Sequence, residues 1–196
     1  HNGIPFLIDC GGGTNHQLMK VGCKPSEITH ILFTHIHIDH CVEFPSLVFG
    51  AYLTGKAGKF QVYGPKGVKH FTDSIFDDTY NFAKGMMRNL RKLEIEIETN
   101  EFEQGTILEC EGLKIEALPV EHGIETLAYK FTADNKTLVF SGDTQPCENI
   151  LKIAKGADVL VIECSFPESS GIKKGHCIPS QVGQIAEKAN VKRVIL

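Results

Sequence analysis

Four side chains able to hold a metal ion fall within six consecutive positions: His35, His37, Asp39 and His40, in the run His35-Ile36-His37-Ile38-Asp39-His40. In extended or turning backbone, residues two apart point the same way, so His35 and His37 can share one target while Asp39 and His40 swing toward a second. One short loop can therefore feed two adjacent cations. Imidazole nitrogen combined with carboxylate oxygen suits Zn²⁺ first, and Fe²⁺ or Mn²⁺ after it. Two ions need more donors than this loop carries. His122, after the apolar run 115–120, and Asp143, in Ser141-Gly142-Asp143-Thr144, are further candidates at strand ends. A carboxylate can bridge two cations, and Gly142 lets the backbone come close. Each also has a plainer reading by itself: His122 as a surface histidine, Asp143 as a turn former.

The chain that must position these groups has 196 residues, 42% of them hydrophobic and 22% charged, which excludes disorder, collagen-like repetition and a coiled coil. A chain of this length buries roughly 70% of its unfolded surface, enough for one core, so residues 1–196 are expected to form a single domain. With 20 Lys and Arg against 24 Asp and Glu, the net charge of −4 gives the surface no general attraction for nucleic acid or anionic membrane. No apolar stretch approaches the ~20 residues needed to span a bilayer, and the start lacks a basic stretch followed by an apolar run. A soluble cytoplasmic protein is expected, with no membrane partner. Its seven cysteines are odd in number and contain no CxxC pair, which favours reduced, mostly buried thiols over a disulfide framework. A homodimer is plausible, though no sequence feature specifies one.

Periodicity and punctuation predict strands over 4–8 and 29–34, each stopping at a polar or glycine-rich loop, with a short helix after Thr14. A buried helix is expected over 44–53, a strand over 60–63, and a Gly-Pro turn at 64–67 that opens a helical stretch running with interruptions to about Lys92. Shorter β runs follow at 93–97, 106–110, 113–118, 126–132 and 137–141. Then come a helix over 149–155, a strand over 159–162, a helix over 180–189 and a strand from Arg193. β-meanders mixed with β-α-β steps predict an α/β (α+β) chain with two sheets and helices packed outside. The chain opens almost on a strand and stops inside one, so it reads as a fragment. In the long helical stretch, Lys84, Arg88, Arg91 and Lys92 would form one basic stripe, a solvated face or a groove for an anionic substrate. Gly55-Lys56-Ala57-Gly58-Lys59 is open to the same two readings.

The motif His35 to His40 with the later His122 and Asp143 resembles the metallo-β-lactamase superfamily, and most closely its ribonuclease Z branch with short phosphodiesterase and arylsulfatase-like relatives. Ile8-Asp9-Cys10-Gly11-Gly12-Gly13-Thr14 resembles the strand and loop before that branch's first helix, and Tyr63-Gly64-Pro65-Lys66-Gly67 its Gly-Pro turn. Glu163-Cys164-Ser165-Phe166 and Gly175-His176-Cys177 resemble its two late loops at the rim of the active site. The resemblance implies a four-layer αββα sandwich with a two-metal site, truncated at both ends. One ion would take His35, His37 and His122, the other Asp39 and His40, with Asp143 between them. The family's last His would follow a strand matching 192–196, beyond the present chain, leaving the second ion three protein ligands.

Two cations ~3.5–4 Å apart lower the pKa of a shared water toward 7 and clamp the oxygens of an in-line displacement. On this reading Asp39 both ligates metal and orients or deprotonates the water, through its second oxygen. His176 is the candidate general acid or phosphate-contacting donor, against the alternative of an ordinary surface-loop histidine. Asp9 and Glu163 read as carboxylates that fix the imidazoles, and Cys41 as a small buried residue and not a soft ligand. Family members that grip transfer RNA usually carry an inserted arm near the stretch after His122, which is absent here, and usually have Glu where Gly12 stands. The expected activity is a metal-dependent phosphodiesterase, ribonuclease Z-like, acting on a small phosphodiester or RNA-like substrate. The alternatives are a hydrolase of another ester class (aryl sulfate, lactone, thioester) and a non-hydrolytic metal-binding or redox module.

Overall fold

A computed structural model describes residues 1–55, 58–76, 95–171 and 174–196. They group into two compact units, His1–Glu101 and Phe102–Leu196. The first unit carries strands β1 (Phe6–Ile8), β2 (His30–Leu32), β3 (Gly58–Gly64) and β4 (Ile95–Glu101), paired in that order and parallel throughout. Parallel strands are covered on both faces, which is why the successive residues Ile31 and Leu32 of β2 are both fully buried and lead into the buried Phe33. Helices α1 (Thr14–Lys20), α2 (Ile38–Cys41), α3 (Phe44–Leu53) and α4 (Val68–Phe76) complete this unit.

Helix α3 occupies the span that its sequence predicts. Phe44, Leu47, Val48 and Ala51 recur at helical spacing and are fully buried. Phe33 packs edge-on against the rings of Phe44 and Phe71, at centroid distances of 5.5 and 5.7 Å, and so ties the residues before the histidine run to two helices.

The second unit carries β5 (Gly105–Cys110), β6 (Leu113–Val120), β7 (Thr126–Ala133), β8 (Lys136–Phe140), β9 (Val159–Val161) and β10 (Val194–Ile195). β5 to β8 form an antiparallel meander, and β9 and β10 extend the sheet in parallel beyond β8. The two-residue turns Glu111-Gly112 and Asp134-Asn135 have positive φ at both positions, the geometry that matches hairpin twist. Along β6 buried and half-buried residues nearly alternate, the period of a strand with one face on a core. Helices α5 (Glu148–Ala154) and α6 (Pro179–Lys188) contribute Ile150, Ile153, Val182 and Ile185 to that core.

Three expectations differ from what is found. The polar cluster expected to be loop contains the one-turn helix α2, and the run expected at 93–97 as part of the second-half meander is β4, paired in parallel with β3. The thiols are not mostly buried: Cys10, Cys41 and Cys177 are, Cys23, Cys147 and Cys164 are half-buried, Cys110 is exposed, and all seven are free. The helical stretch to Lys92 is described only through Phe76, so Lys84, Arg88, Arg91 and Lys92 lie outside the described residues, as do Lys56 and Ala57. Among the described residues no helix is long and apolar enough to cross a membrane.

Asp158 pins the second sheet. Its carboxylate accepts from Lys192 Nζ at 2.8 Å and from the Thr137 amide at 2.8 Å, and these contacts pull its pKa down to about 2. A carboxylate held below its unfolded value of ~3.9 contributes stability above that pH and loses it as pH falls toward 2. The expected result is that wild type and Asp158→Asn differ in urea midpoint at pH 6, and that the difference shrinks between about pH 4 and pH 2.

Candidate metal centre

In the first unit, β2 runs through Phe33 and the buried Thr34 into His35, which has no exposed surface. At the end of β1, Asp9 adopts a positive φ of 58° and turns its carboxylate to this segment. It accepts from Thr34 N at 2.7 Å, Thr34 Oγ1 at 2.8 Å and His40 Nδ1 at 2.8 Å. Because the Thr34 hydroxyl gives its proton to Asp9, its oxygen accepts from His35 Nδ1 at 3.0 Å. Both His35 and His40 are thereby set in the tautomer whose lone pair is on Nε2.

His35 Nε2 lies 3.1 Å from His37 Nδ1. Two nitrogens bound at ~2.0–2.1 Å to one tetrahedral ion would sit roughly 3.3 Å apart, so this pair is already spaced as co-ligands. Asp39, three-quarters exposed on α2, brings Oδ2 to 3.7 Å from His40 Nε2. The loop after β1 clamps this helix from below: Cys10 N donates to His40 O at 2.7 Å, and Glu43 N to Cys10 O at 2.9 Å. Gly11 lies so close to the Asp39 carbonyl oxygen that a β-carbon there would collide with it.

In the second unit, His122 lies just past β6 with its side chain 4% exposed. Its Nδ1 donates to Gly175 O at 2.8 Å, which sets Nε2 as the lone-pair nitrogen, 3.8 Å from Asp143 Oδ2. Gly175 has a φ of +83°, and a β-carbon there would press on His122 Nδ1 at 3.1 Å, so both the conformation and the close approach call for glycine. His176 donates from Nδ1 to Glu163 Oε1 at 2.9 Å and stands 3.8 Å from Asp143 Oδ2. Glu163 also accepts from the amides of Thr144 and Ser165 and from the Ser165 hydroxyl. Single donor atoms of His122, Asp143 and His176 all fall within 4.8 Å of one another.

The predicted residues thus assemble as two clusters, His35, His37, Asp39 and His40 in one unit and His122, Asp143 and His176 in the other. Asp9 and Glu163 fix imidazoles, in line with the sequence. Thr34, Gly11 and Gln145 were not visible from it. Gln145 accepts from Gly175 N at 2.9 Å and donates to Glu121 Oε2 at 2.6 Å, steadying the loop that holds His122. Thr34 reads in sequence as one more β-branched strand residue, and only its position before His35 hints at a role.

The nearby thiols stand apart from this chemistry. Burial pushes Cys10 and Cys177 up to about 12 and Cys41 to about 11. Cys177 donates to Thr144 O at 3.1 Å and Cys41 to Ile36 O at 3.7 Å. The donor set is therefore nitrogen and oxygen, which fits Zn²⁺ and related divalent ions. Asp9→Ala leaves the Thr34 and His40 donors without their shared acceptor. It is expected to weaken divalent-metal binding by about 10–100-fold, measured by competition with a chromogenic chelator, with far-UV circular dichroism unchanged.

A two-sheet α/β chain with imidazoles held in fixed tautomers at strand ends defines a metal-binding hydrolase-type fold, the metallo-β-lactamase fold. The chain belongs to the beta-lactamase superfamily, whose domain model matches residues 5–196. It is 25% identical to the ribonuclease Z of Methanothermobacter thermautotrophicus, over 97% of this chain and 76% of that protein. It is 27% identical to the ribonuclease Z of Ignicoccus hospitalis, over 100% and 78%. Among solved structures, the human short-form tRNase Z matches with a TM-score of 0.79 at 22% identity, over 99% of this chain and 81% of that one. The metallo-beta-lactamase fold protein YhfI from Bacillus subtilis matches with a TM-score of 0.76 at 19% identity, over 98% and 73%.

Proposed function

We propose that the chain is a metal-dependent phosphodiesterase of the ribonuclease Z kind, formed by one domain over residues 1–196, in which the two donor clusters together hold two divalent cations, Zn²⁺ before Fe²⁺ or Mn²⁺. The observation that carries this reading is the set of Nδ1 contacts. His35, His40, His122 and His176 each give Nδ1–H to an oxygen acceptor, which commits Nε2 to bind a cation or move a proton. The ribonuclease Z relatives support phosphodiester over sulfate ester, lactone or thioester.

His35, His37 and His122 would hold one ion, Asp39 and His40 the other, with Asp143 between them. When bound, such cations supply Lewis acidity, bringing the pKa of a water toward 7 and offsetting charge on the phosphate. Asp39, three-quarters exposed beside His40, would orient the attacking water and take its proton. His176, its Nδ1 anchored on Glu163, would donate a proton from Nε2 to the departing oxygen. Asp9 keeps His40 and, through Thr34, His35 from turning as charge shifts. Only residues 121–125 join β6 to β7, and the net charge is −4, so a small phosphodiester or a short RNA end suits this chain better than a folded RNA gripped over a wide surface.

The test is turnover of bis(p-nitrophenyl) phosphate beside aryl sulfate and lactone substrates. Phosphodiester hydrolysis is expected to lead, to vanish on chelation and return with Zn²⁺, and to fall at least about 100-fold in His37→Ala while the fold persists. Full activity in His37→Ala would eliminate the site.

A further inference from the structure

Two thiols stand directly after the two partners of one hydrogen bond: Cys164 follows Glu163, and Cys177 follows His176. We propose that they form a redox modification site, in which a hydroperoxide oxidises Cys164 and Cys177 captures it as a disulfide that displaces His176 and His122. The loss of hydrolysis that follows rests on the phosphodiesterase reading; the disulfide itself does not.

The placement of the two sulfurs carries this. Ile162 and Cys164 both pack into the core of the second unit, while Glu163 between them turns away to accept from His176 Nδ1 at 2.9 Å. This is the alternation of extended backbone. On the facing loop the pattern repeats: His176 meets Glu163, and Cys177 lies in that same core with no exposed surface. The bond from His176 to Glu163 therefore also gathers the two cysteines on the core side. Burial is the main cause that pushes the Cys177 thiol up, and the charges of Glu163 and then Cys164 add to it, each more strongly than Cys147. Cys147 meets the Thr144 hydroxyl at 3.9 Å, whereas Cys177 donates to the Thr144 carbonyl. Cys164 is thus the assigned partner, and Cys147 the rival that the test removes.

Exposure fixes the order of events. Cys177 is sealed, whereas Cys164 is half-buried and open to a small oxidant. The Cys164 sulfur attacks one peroxide oxygen, the O–O bond breaks, and a sulfenic acid and an alcohol or water are formed. The Cys177 sulfur then attacks the sulfenic sulfur, the S–O bond breaks, and the hydroxyl leaves as water with the Cys177 proton. The two thiols give up two electrons, and the peroxide takes them. To form this bond the Cys177 sulfur must leave the Thr144 carbonyl, and its neighbours move with it. Gly175, two residues earlier, gives its carbonyl to His122 Nδ1 at 2.8 Å and its amide to Gln145. One sulfur bond in the core thereby reaches both imidazoles of the second cluster.

The experiment treats the intact protein, loaded with Zn²⁺, with hydrogen peroxide, as wild type and as Cys164→Ser, Cys147→Ser and Cys110→Ser. Free thiols are then blocked and the digest is weighed by mass spectrometry. A peptide pair joined through Cys164 and Cys177 is expected from all but Cys164→Ser. Hydrolysis of bis(p-nitrophenyl) phosphate should fall at least about tenfold on oxidation, return with dithiothreitol, and stay within about twofold in Cys164→Ser. Absence of the joined pair, a pair joined through Cys147 in its place, or equal inactivation of Cys164→Ser would overturn the proposal. If the reduced protein hydrolyses nothing, the phosphodiesterase reading fails by itself. The joined pair, together with Zn²⁺ affinity at least about tenfold weaker after oxidation, then sustains the redox site, and lack of either removes it.

Discussion

His176→Ala is expected to slow hydrolysis of a phosphodiester with an alkoxide leaving group by about 10²–10⁴-fold in kcat. An alkoxide departs poorly without a proton, and the proposed mechanism takes that proton from Nε2 of His176, whose Nδ1 is tied to Glu163 at 2.9 Å. p-Nitrophenolate departs without help, so the same variant should lose less than about tenfold on bis(p-nitrophenyl) phosphate. This split separates a proton donor from a structural residue, because a disturbed site would slow both esters alike. Glu163 keeps three other donors when His176 is truncated, from Thr144 and Ser165, so the loop is expected to hold. Rapid-quench rates on an RNA dinucleotide beside the aryl ester are the measurement. Equal losses on the two would transfer His176 from chemistry to scaffolding.

The second large effect is expected at a residue with no functional atom in its side chain. Gly11→Ala drives a methyl group into the carbonyl oxygen of Asp39, and the loop cannot simply retreat, because Cys10 and Glu43 hydrogen-bond across the same contact. Relief must come from moving Asp39 and His40. A displacement of about 1 Å in a catalytic constellation costs on the order of 10²-fold, and a loss of that size in kcat/KM, with divalent metal bound substoichiometrically, is the predicted outcome. Gly12→Ala is the control. A β-carbon there meets only Val42 Cγ1, at 3.9 Å, so activity within twofold of wild type is expected. If Gly11→Ala matches Gly12→Ala, the loop does not set the position of the metal-binding turn.

The sequence displayed the chemistry more fully than the framework that holds it. His35, His37, Asp39 and His40 are adjacent in the chain, and α3 and the β5–β8 meander announce themselves by period, because each depends on neighbours within a few residues. The parallel pairing of β4 with β3 is not legible, since a strand's own pattern does not name its partner across the thirty residues that intervene. Helix α2 escaped notice for a related reason. It is a single turn whose Ile38 is 74% exposed, so it shows no apolar face to betray a helical period. Thr34 is invisible until folding brings Asp9 to it from 25 positions away.

The three thiols behind the histidines carry a consequence for metal choice in the cell. Each lies within a residue of a carboxylate or imidazole of the proposed machinery, yet each is sealed in the core and kept in its protonated form. These three thiols therefore offer no accessible sulfur to thiophilic ions such as Cu⁺, Cd²⁺ or Hg²⁺, whereas the half-buried Cys164, next to Glu163, is the thiol of this region that such ions and oxidants can reach. Burial thus keeps Cys10, Cys41 and Cys177 out of reach although each is next in the chain to a reactive group.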